Sequence, residues 1–105
     1  MLVKLSYQAQ LRIAEITDYY LFNESTERTQ KVLESFEESF SKIAINHTDC
    51  KKYLSAVFSN LNIRIFKHYN TYHIYFMVID DSIIIAEIFH LKQSGNKLKI
   101  DIENL

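Results

Sequence analysis

The spacing of the apolar residues changes once along the chain, and this change restricts the possible folds more than any other feature of the sequence. In the first half, apolar side chains recur every three or four residues, which is the period of an amphipathic helix. From Ile63 onward, β-branched and aromatic residues dominate, which is typical of strands. The order therefore predicts an α+β protein in which two helices precede a sheet.

The first half predicts a short strand and then two helices. The strand runs from Val3 to Ser6, and the Ser6 hydroxyl is placed to cap a helix that begins near Tyr7. Asn23 and Ser25 lie in the break after this helix, and either can cap the second one. The apolar faces are formed by Ala9, Ile13, Ile16 and Tyr20 in the first helix and by Thr29, Val32, Phe36, Phe40 and Ile43 in the second. The short connection predicts an antiparallel helix hairpin.

The second half predicts an antiparallel sheet of three or four strands, with the helix hairpin packed on one face. The strands are Ile63 to His68, Tyr72 to Ile79 and Ile83 to Phe89, with a fourth at Leu98 to Ile102 unless residues 94–105 form a tail. Residues 47–52 are polar and aperiodic and are expected to form a loop, whereas residues 53–61 fit a strand, a helical turn or a loop. The predicted order is β-α-α-β-β-β(-β), an α+β sandwich.

The register of the last hairpin determines which histidines meet across the sheet. If residues 80–81, both aspartate, are the two loop residues, His73 is expected opposite Ile88. A shift of the loop by one residue would instead place His73 opposite His90. The two registers remain open at this point.

The composition indicates one folded domain over residues 1–105. The chain is 48% apolar and contains one glycine and no proline, which excludes a disordered chain and makes a flexible linker improbable. Cys50 is the single cysteine and cannot form an internal disulfide, and no apolar run approaches the length of a membrane span, so we expect a cytoplasmic protein. No metal or cofactor is expected, because the grouping of His47, Asp49 and Cys50 fits no ligand pattern and a single glycine cannot build a Gly-rich phosphate loop.

The formal net charge of −1 conceals an asymmetry between the two halves of the chain. Residues 1–46 carry five basic and seven acidic side chains, whereas residues 47–100 carry seven basic and four acidic side chains together with all four histidines. The net charge excludes a global attraction to nucleic acid, but the second half can still present a basic surface locally.

Two segments resemble the RelE/ParE superfamily of toxins from bacterial type II toxin-antitoxin modules, over about residues 3–93. Ala9 to Tyr20 resembles the first helix of the family, with spaced aliphatic residues before a Thr-Asp-Tyr-Tyr end. Residues 64–90 resemble the arginine strand of the family (Arg64-Ile-Phe), its Tyr-Arg-Ile-Phe-Tyr strand (Tyr72-His-Ile-Tyr-Phe), its acidic turn, and a last strand that ends in a histidine, His90. The resemblance implies the RelE/ParE-like fold.

The end of the last predicted strand indicates which branch of the superfamily the chain resembles. RelE-like members cut messenger RNA in the ribosome and typically carry a catalytic Tyr or His-Tyr pair there, whereas no tyrosine follows Tyr75 here. The sequence His90-Leu-Lys-Gln is closer to the His-Gly-Arg-Arg ending of ParE-like members, which bind DNA gyrase. The resemblance thus implies a ParE-like toxin associated with plasmid stabilisation. A RelE-like endoribonuclease and a non-toxic binding module on the same fold are the alternatives.

Candidate site residues follow from these alternatives. In the RelE-like case, Arg64, His68, His73 and His90 would supply the cation and the proton transfer that RNA cleavage needs. Arg64 and His68 have the same strand parity and can share a face. The candidate target-binding cations are Lys51, Lys52, Lys67 and Lys92.

The resemblance also implies a partner, the cognate antitoxin. In the family, a C-terminal segment of the antitoxin wraps the toxin and commonly covers the helix hairpin and the sheet edge. Tyr19, Leu21 and Phe22 lie at the end of the first helix, off the stripe formed by Ile13 and Ile16. We predict that these three side chains form the antitoxin-binding surface.

Overall fold

The helices and strands follow one another in the predicted order. The computed structural model describes residues 1–54 and 60–93. Its elements are β1 (Leu2–Leu5), α1 (Tyr7–Asn23), α2 (Thr26–Asn46), β2 (Lys51–Lys52), β3 (Ile63–His68), β4 (Tyr72–Ile79) and β5 (Ser82–His90), with 3₁₀ turns at His47–Asp49 and Leu91–Gln93. Residues 55–59 of the segment left open by the sequence, and the suggested strand at residues 98–102, lie outside the described residues.

The strands form one five-stranded sheet in the order β1-β5-β4-β3-β2. β3, β4 and β5 pair antiparallel as predicted, and β2 adds an antiparallel edge strand that was not predicted. β1 pairs parallel with β5 and makes the sheet mixed. The parallel pairing is possible because β1 and β5 are joined through the helix hairpin and the rest of the sheet, not by a tight turn. β2 corrects the expectation that Lys51 and Lys52 lie in a loop, since these residues pair with Ile65 and Arg64 at the sheet edge.

Two serines begin the helices. The Ser6 hydroxyl accepts a hydrogen bond from the Ala9 amide at 3.1 Å, which caps α1, and it donates one to the Ala86 carbonyl of β5 at 3.0 Å. Ser25 rather than Asn23 caps α2, accepting a hydrogen bond from the Arg28 amide at 3.0 Å. The predicted cap at Ser6 therefore has a second role, which is to tie the start of α1 to the sheet.

The main core lies between the helix hairpin and one face of the sheet. Its buried members are Ala9, Ile16, Phe36, Ile43, Ile74, Phe76, Ile83, Ile85 and Ile88. The opposite face of the sheet, called the outer face below, carries a smaller cluster of Ile63, Tyr75, Met77, Ala86 and Phe89. Both faces of β4 and β5 are thus apolar, which explains why these strands are continuous hydrophobic runs in the sequence.

A β-bulge in β5 changes the register that the sequence predicts. Tyr75 lies opposite Glu87, but the next residue, Phe76, lies opposite Ile85, so Ala86 is an extra residue in β5. His73 consequently lies opposite Phe89, and neither predicted register is correct for it. The predicted two-residue loop is nevertheless present, because Ile79 pairs with Ser82 and Asp80 adopts a φ of 53°.

No helix within the described ranges is both long enough and apolar enough to cross a membrane.

Candidate functional site

A cavity of about 310 Å³ opens between the helix hairpin and the β3–β4 turn. Arg28 and Lys31 contribute its two cations from the first turns of α2. The remaining lining residues are Tyr20, Val32, Ser35, His68, Tyr69, Thr71 and Tyr72, five of which carry a hydroxyl group. The short loop between α1 and α2 places Tyr20 next to α2, and the β3–β4 turn closes the cavity on the side of the sheet.

The tyrosines of this cavity are held by aromatic and polar contacts. The Arg28 guanidinium lies 5.9 Å from the centre of the Tyr20 ring, within reach of a cation–π interaction. Burial, together with the proximity and hydrogen bonding of Tyr20, raises the pKa of Tyr72 to about 12. The Tyr72 hydroxyl therefore remains a neutral hydrogen-bond donor at physiological pH.

His68, at the inner wall of the cavity, is packed as a core residue. Its side chain is 4% exposed, and its ring stacks on Phe36 with centroids 4.1 Å apart. Both ring nitrogens are engaged by α2 hydroxyls, Nδ1 with Ser39 at 2.7 Å and Nε2 with Ser35 at 3.2 Å. Burial lowers the pKa of His68 to about 4, so the ring is neutral at pH 7.

The depressed pKa of His68 predicts a loss of stability in mild acid. Below pH 6.5 the unfolded chain takes up a proton at His68, whereas the folded protein takes it up only near pH 4. The free energy of unfolding should therefore fall by about 2–3 kcal/mol between these pH values on account of this residue. Urea denaturation at pH 7, 5.5 and 4.5 measures this decrease in the free energy of unfolding. In His68→Gln this dependence should shrink, and an unchanged slope would contradict the assignment.

The four residues proposed for RNA cleavage are not gathered at one point. His73 contacts Tyr75 on the outer face, whereas His90 contacts Tyr72 on the helix face, with ring centroids 5.2 Å apart. Arg64 shares the helix face with His68, as predicted from strand parity, but its Nη1 donates to the carbonyls of Cys50 at 2.8 Å and Thr48 at 3.3 Å. Arg64 thus holds the segment that leads into β2.

His73 and His90 lie on different faces of the sheet and also differ in their surroundings. Burial first, and the charge of Lys67 second, lower the pKa of His73, whose buried Nε2 makes no hydrogen bond. The Nδ1 of His90 instead accepts a hydrogen bond from the Lys92 amide at 3.0 Å, which stabilises the turn after β5. No group of three or more potential metal ligands occurs among residues 1–54 and 60–93.

The four candidate target-binding lysines are all exposed. Antiparallel pairing sets their faces: Lys51 lies opposite Ile65 and shares the outer face with Lys67, whereas Lys52 lies opposite Arg64 on the helix face. Lys92 follows β5 at the end of the sheet where Lys67 also lies. Lys51 on β2 and Lys67 on β3 therefore make the outer face basic near the β2 edge of the sheet.

The predicted antitoxin-binding residues are exposed at the C-terminal end of α1. Phe22 is 88% exposed, and Tyr19 and Leu21 are both exposed to about half or more of their surface. Tyr19 also packs edge-on against Tyr20, with ring centroids 5.2 Å apart. These three exposed side chains at the end of α1 are called the α1-end surface below.

Sequence reasoning missed the cavity and a buried carboxylate. The sequence places Arg28 and Lys31 on the polar face of an amphipathic helix, which is the ordinary location of such charges. Glu87 is 0% exposed in the middle of β5 and binds the side chains of Arg12 and Gln8 of α1. Its one signal in the sequence is an acidic residue inside an otherwise apolar strand, which calls for a basic partner.

The sequence of the chain matches a family model over residues 3–95, and that model describes the ParE toxin of the type II toxin-antitoxin system parDE. The chain belongs to the ParE toxin family. The resemblance to the ParE branch, inferred from the end of the last strand, is therefore confirmed. Membership in this family implies an antitoxin partner.

The fold of this ParE family member is similar to a solved structure from the "Chromosomal ParDE TA system from P. aeruginosa". The two share a TM-score of 0.66 at 18% sequence identity, over 86% of this chain and 95% of that chain. No curated protein sequence matches the chain. At this identity the likeness concerns the fold, and it confirms the predicted α+β architecture with two helices and an N-terminal strand.

Proposed function

We propose that the chain acts by binding a cellular target protein such as DNA gyrase, and that a cognate antitoxin neutralises it by covering the α1-end surface. The observation that carries the first part is the separation of Arg64, His68, His73 and His90. Cleavage of RNA needs a base, an acid and a cation around one phosphate. Here one histidine is buried and neutral, a second lies on the other face of the sheet, and the arginine is bound to backbone carbonyls.

The basic outer face supports a binding role. Lys51 and Lys67 project from neighbouring strands on this face, and the apolar cluster that includes Tyr75 and Met77 lies on the same face. A rigid sheet that presents exposed cations is suited to an acidic protein surface, since charge complementarity accelerates and orients association. The proposal therefore places target recognition on the sheet and antitoxin recognition on the hairpin.

Induction of the chain alone in a bacterial host tests the activity. We expect growth arrest with DNA-damage signalling and intact transcripts, and purified protein should inhibit supercoiling by gyrase. Cleaved transcripts with unaffected supercoiling would instead support the endoribonuclease. Unimpaired growth at good expression would contradict a toxin of either kind and leave the non-toxic binding module.

Charge reversal on the outer face should weaken target inhibition. In Lys51→Glu/Lys67→Glu we expect the concentration for half inhibition of supercoiling to rise about tenfold, because each reversal removes an attraction and adds a repulsion at the interface. The matched control is Lys31→Glu/Lys42→Glu, which makes the same charge change at two exposed positions on α2, away from the outer face. Equal effects of the two double variants would contradict a specific role of the outer face.

A further inference from the structure

The lining of the cavity between the helix hairpin and the β3–β4 turn is positively charged. Arg28 and Lys31 lie three residues apart on α2, so their side chains leave the same side of the helix. No acidic side chain is among the described residues that line the cavity. Glu24 pairs with Arg28 from outside at 3.7 Å, but an exposed pair of this kind is weak and leaves the guanidinium available.

The rest of the lining supplies neutral hydrogen-bond donors next to these cations. Four lining residues carry a hydroxyl group and come from two sides of the cavity: Tyr20 from α1, and Tyr69, Thr71 and Tyr72 from the β3–β4 turn and the start of β4. His68 forms the inner wall with its nitrogens engaged by serine hydroxyls of α2. The cavity thus combines two positive charges with several hydroxyl groups. The His68 ring at its inner wall is held in place by its contacts to α2.

Tyr69 is held in an unfavourable backbone conformation at the rim. Its φ of 52° lies in the left-handed region, which is uncommon for a bulky residue and costs about 1 kcal/mol or more. Its ring packs edge-on against His68 with centroids 4.8 Å apart and remains 61% exposed. The β3–β4 hairpin loop requires this backbone conformation, and it leaves the exposed Tyr69 ring as part of the cavity rim.

We propose that this cavity binds a small phosphate-bearing anion, with its phosphate between Arg28 and Lys31. A phosphate group carries close to two negative charges and three strong acceptor oxygens, which matches two cations surrounded by hydroxyl donors. A carboxylate has one charge and two oxygens and would leave part of this lining unused. The volume of about 310 Å³ is at the lower end of the range of small-molecule sites.

Titration of the full chain, followed by the amide signals in NMR spectra, tests the proposal. The probes are inorganic phosphate, adenosine monophosphate and succinate, at constant ionic strength so that general screening is the same. We expect saturable shifts at Arg28, Lys31 and Thr71 with both phosphate compounds, and weaker binding of succinate. Tighter binding of adenosine monophosphate than of phosphate would identify a phosphomonoester as the ligand, and equal binding would identify free phosphate.

A variant pair separates the cavity from general charge effects. Arg28→Gln/Lys31→Gln should bind the tighter phosphate probe at least about tenfold more weakly, because two charge-assisted contacts are lost. Lys4→Gln/Lys42→Gln removes the same charge at exposed positions elsewhere and should bind within about twofold of the wild type. Thermal denaturation confirms that both variants are folded, which is expected since all four positions lie on the surface.

Three outcomes would overturn the proposal. The first is the absence of localised shifts with either phosphate probe, and the second is an equal loss of binding in the two double variants. The third is binding of a 5′-phosphorylated RNA oligonucleotide without binding of adenosine monophosphate, which would assign the cavity to a macromolecule. None of these outcomes affects the proposed action on gyrase, which is measured separately.

Discussion

Replacement of Glu87 by alanine should lower the free energy of unfolding by about 3–5 kcal/mol, because it removes one partner of a buried ion pair. The Glu87 carboxylate is 0% exposed and accepts hydrogen bonds from Arg12 Nε at 3.0 Å and Arg12 Nη2 at 3.2 Å. It also accepts from the side chain of Gln8 and from the amide of Ile88 at 2.9 Å. In Glu87→Ala all these donors lose their acceptor inside the protein.

The chain offers a matched control for this prediction. Arg12 forms a second ion pair at 2.9 Å with Glu15, whose side chain is 65% exposed. Glu15→Ala should therefore change the free energy of unfolding by less than about 1 kcal/mol, although it removes a contact to the same guanidinium. Thermal and urea denaturation measure both, and Glu87→Ala should lower the midpoint temperature by more than about 10 °C. Similar effects of the two variants would contradict the buried role of Glu87.

Truncation of Phe22 should weaken the complex with the antitoxin about 30-fold or more. An aromatic side chain that is 88% exposed at the end of a helix becomes an interface anchor when a partner covers it, and loss of such an anchor costs about 2–4 kcal/mol of binding. Leu21→Ala should act in the same direction with a smaller effect. Titration calorimetry with the cognate antitoxin measures the affinity. In cells, Phe22→Ala should remain toxic but escape neutralisation.

Ile45→Ala is the control variant, because it removes exposed apolar surface at a position away from the α1-end surface. Ile45 is 79% exposed near the C-terminal end of α2, about five helical turns from the hairpin loop. Its truncation should leave the antitoxin affinity within about twofold of the wild type. Because both residues are on the surface, neither change should alter the free energy of unfolding by more than about 0.5 kcal/mol. An unchanged affinity of Phe22→Ala would refute the α1-end surface as the docking site.

The secondary structure could be predicted well because its signals are local. The apolar stripe of α2 repeats every three or four residues around Phe36, and the Ser6 hydroxyl lies three residues before the Ala9 amide that it caps. Likewise, the aspartates at residues 80–81 predict a tight turn from their own conformational preferences. Each of these inferences requires a few neighbouring residues and no knowledge of the tertiary structure.

The arrangement of the histidines could not be predicted in the same way. One extra residue at Ala86 changes the cross-strand partner of His73 from Ile88 to Phe89. The local sequence contains no signal that predicts this bulge. The burial of His68 depends on the face that α2 turns to the sheet, which brings Ser35 and Ser39 to its nitrogens. The sequence around a strand histidine does not show whether its side chain is exposed or buried, because burial depends on which helices and strands pack against it.

The sequence by itself determined the order of the two helices and the four longer strands, the cap of α1, the asymmetry of charge between the halves and the resemblance to the ParE family. These properties depend on periodicity, local hydrogen bonding and residue identity along the chain. Tertiary structure alone decided that Arg28 and Lys31 face a cavity with the tyrosines of α1 and the β3–β4 turn, and that Glu87 meets Arg12 across 75 residues. Contacts over such separations form when the helix hairpin packs on the sheet, and packing depends on the shapes of both elements together.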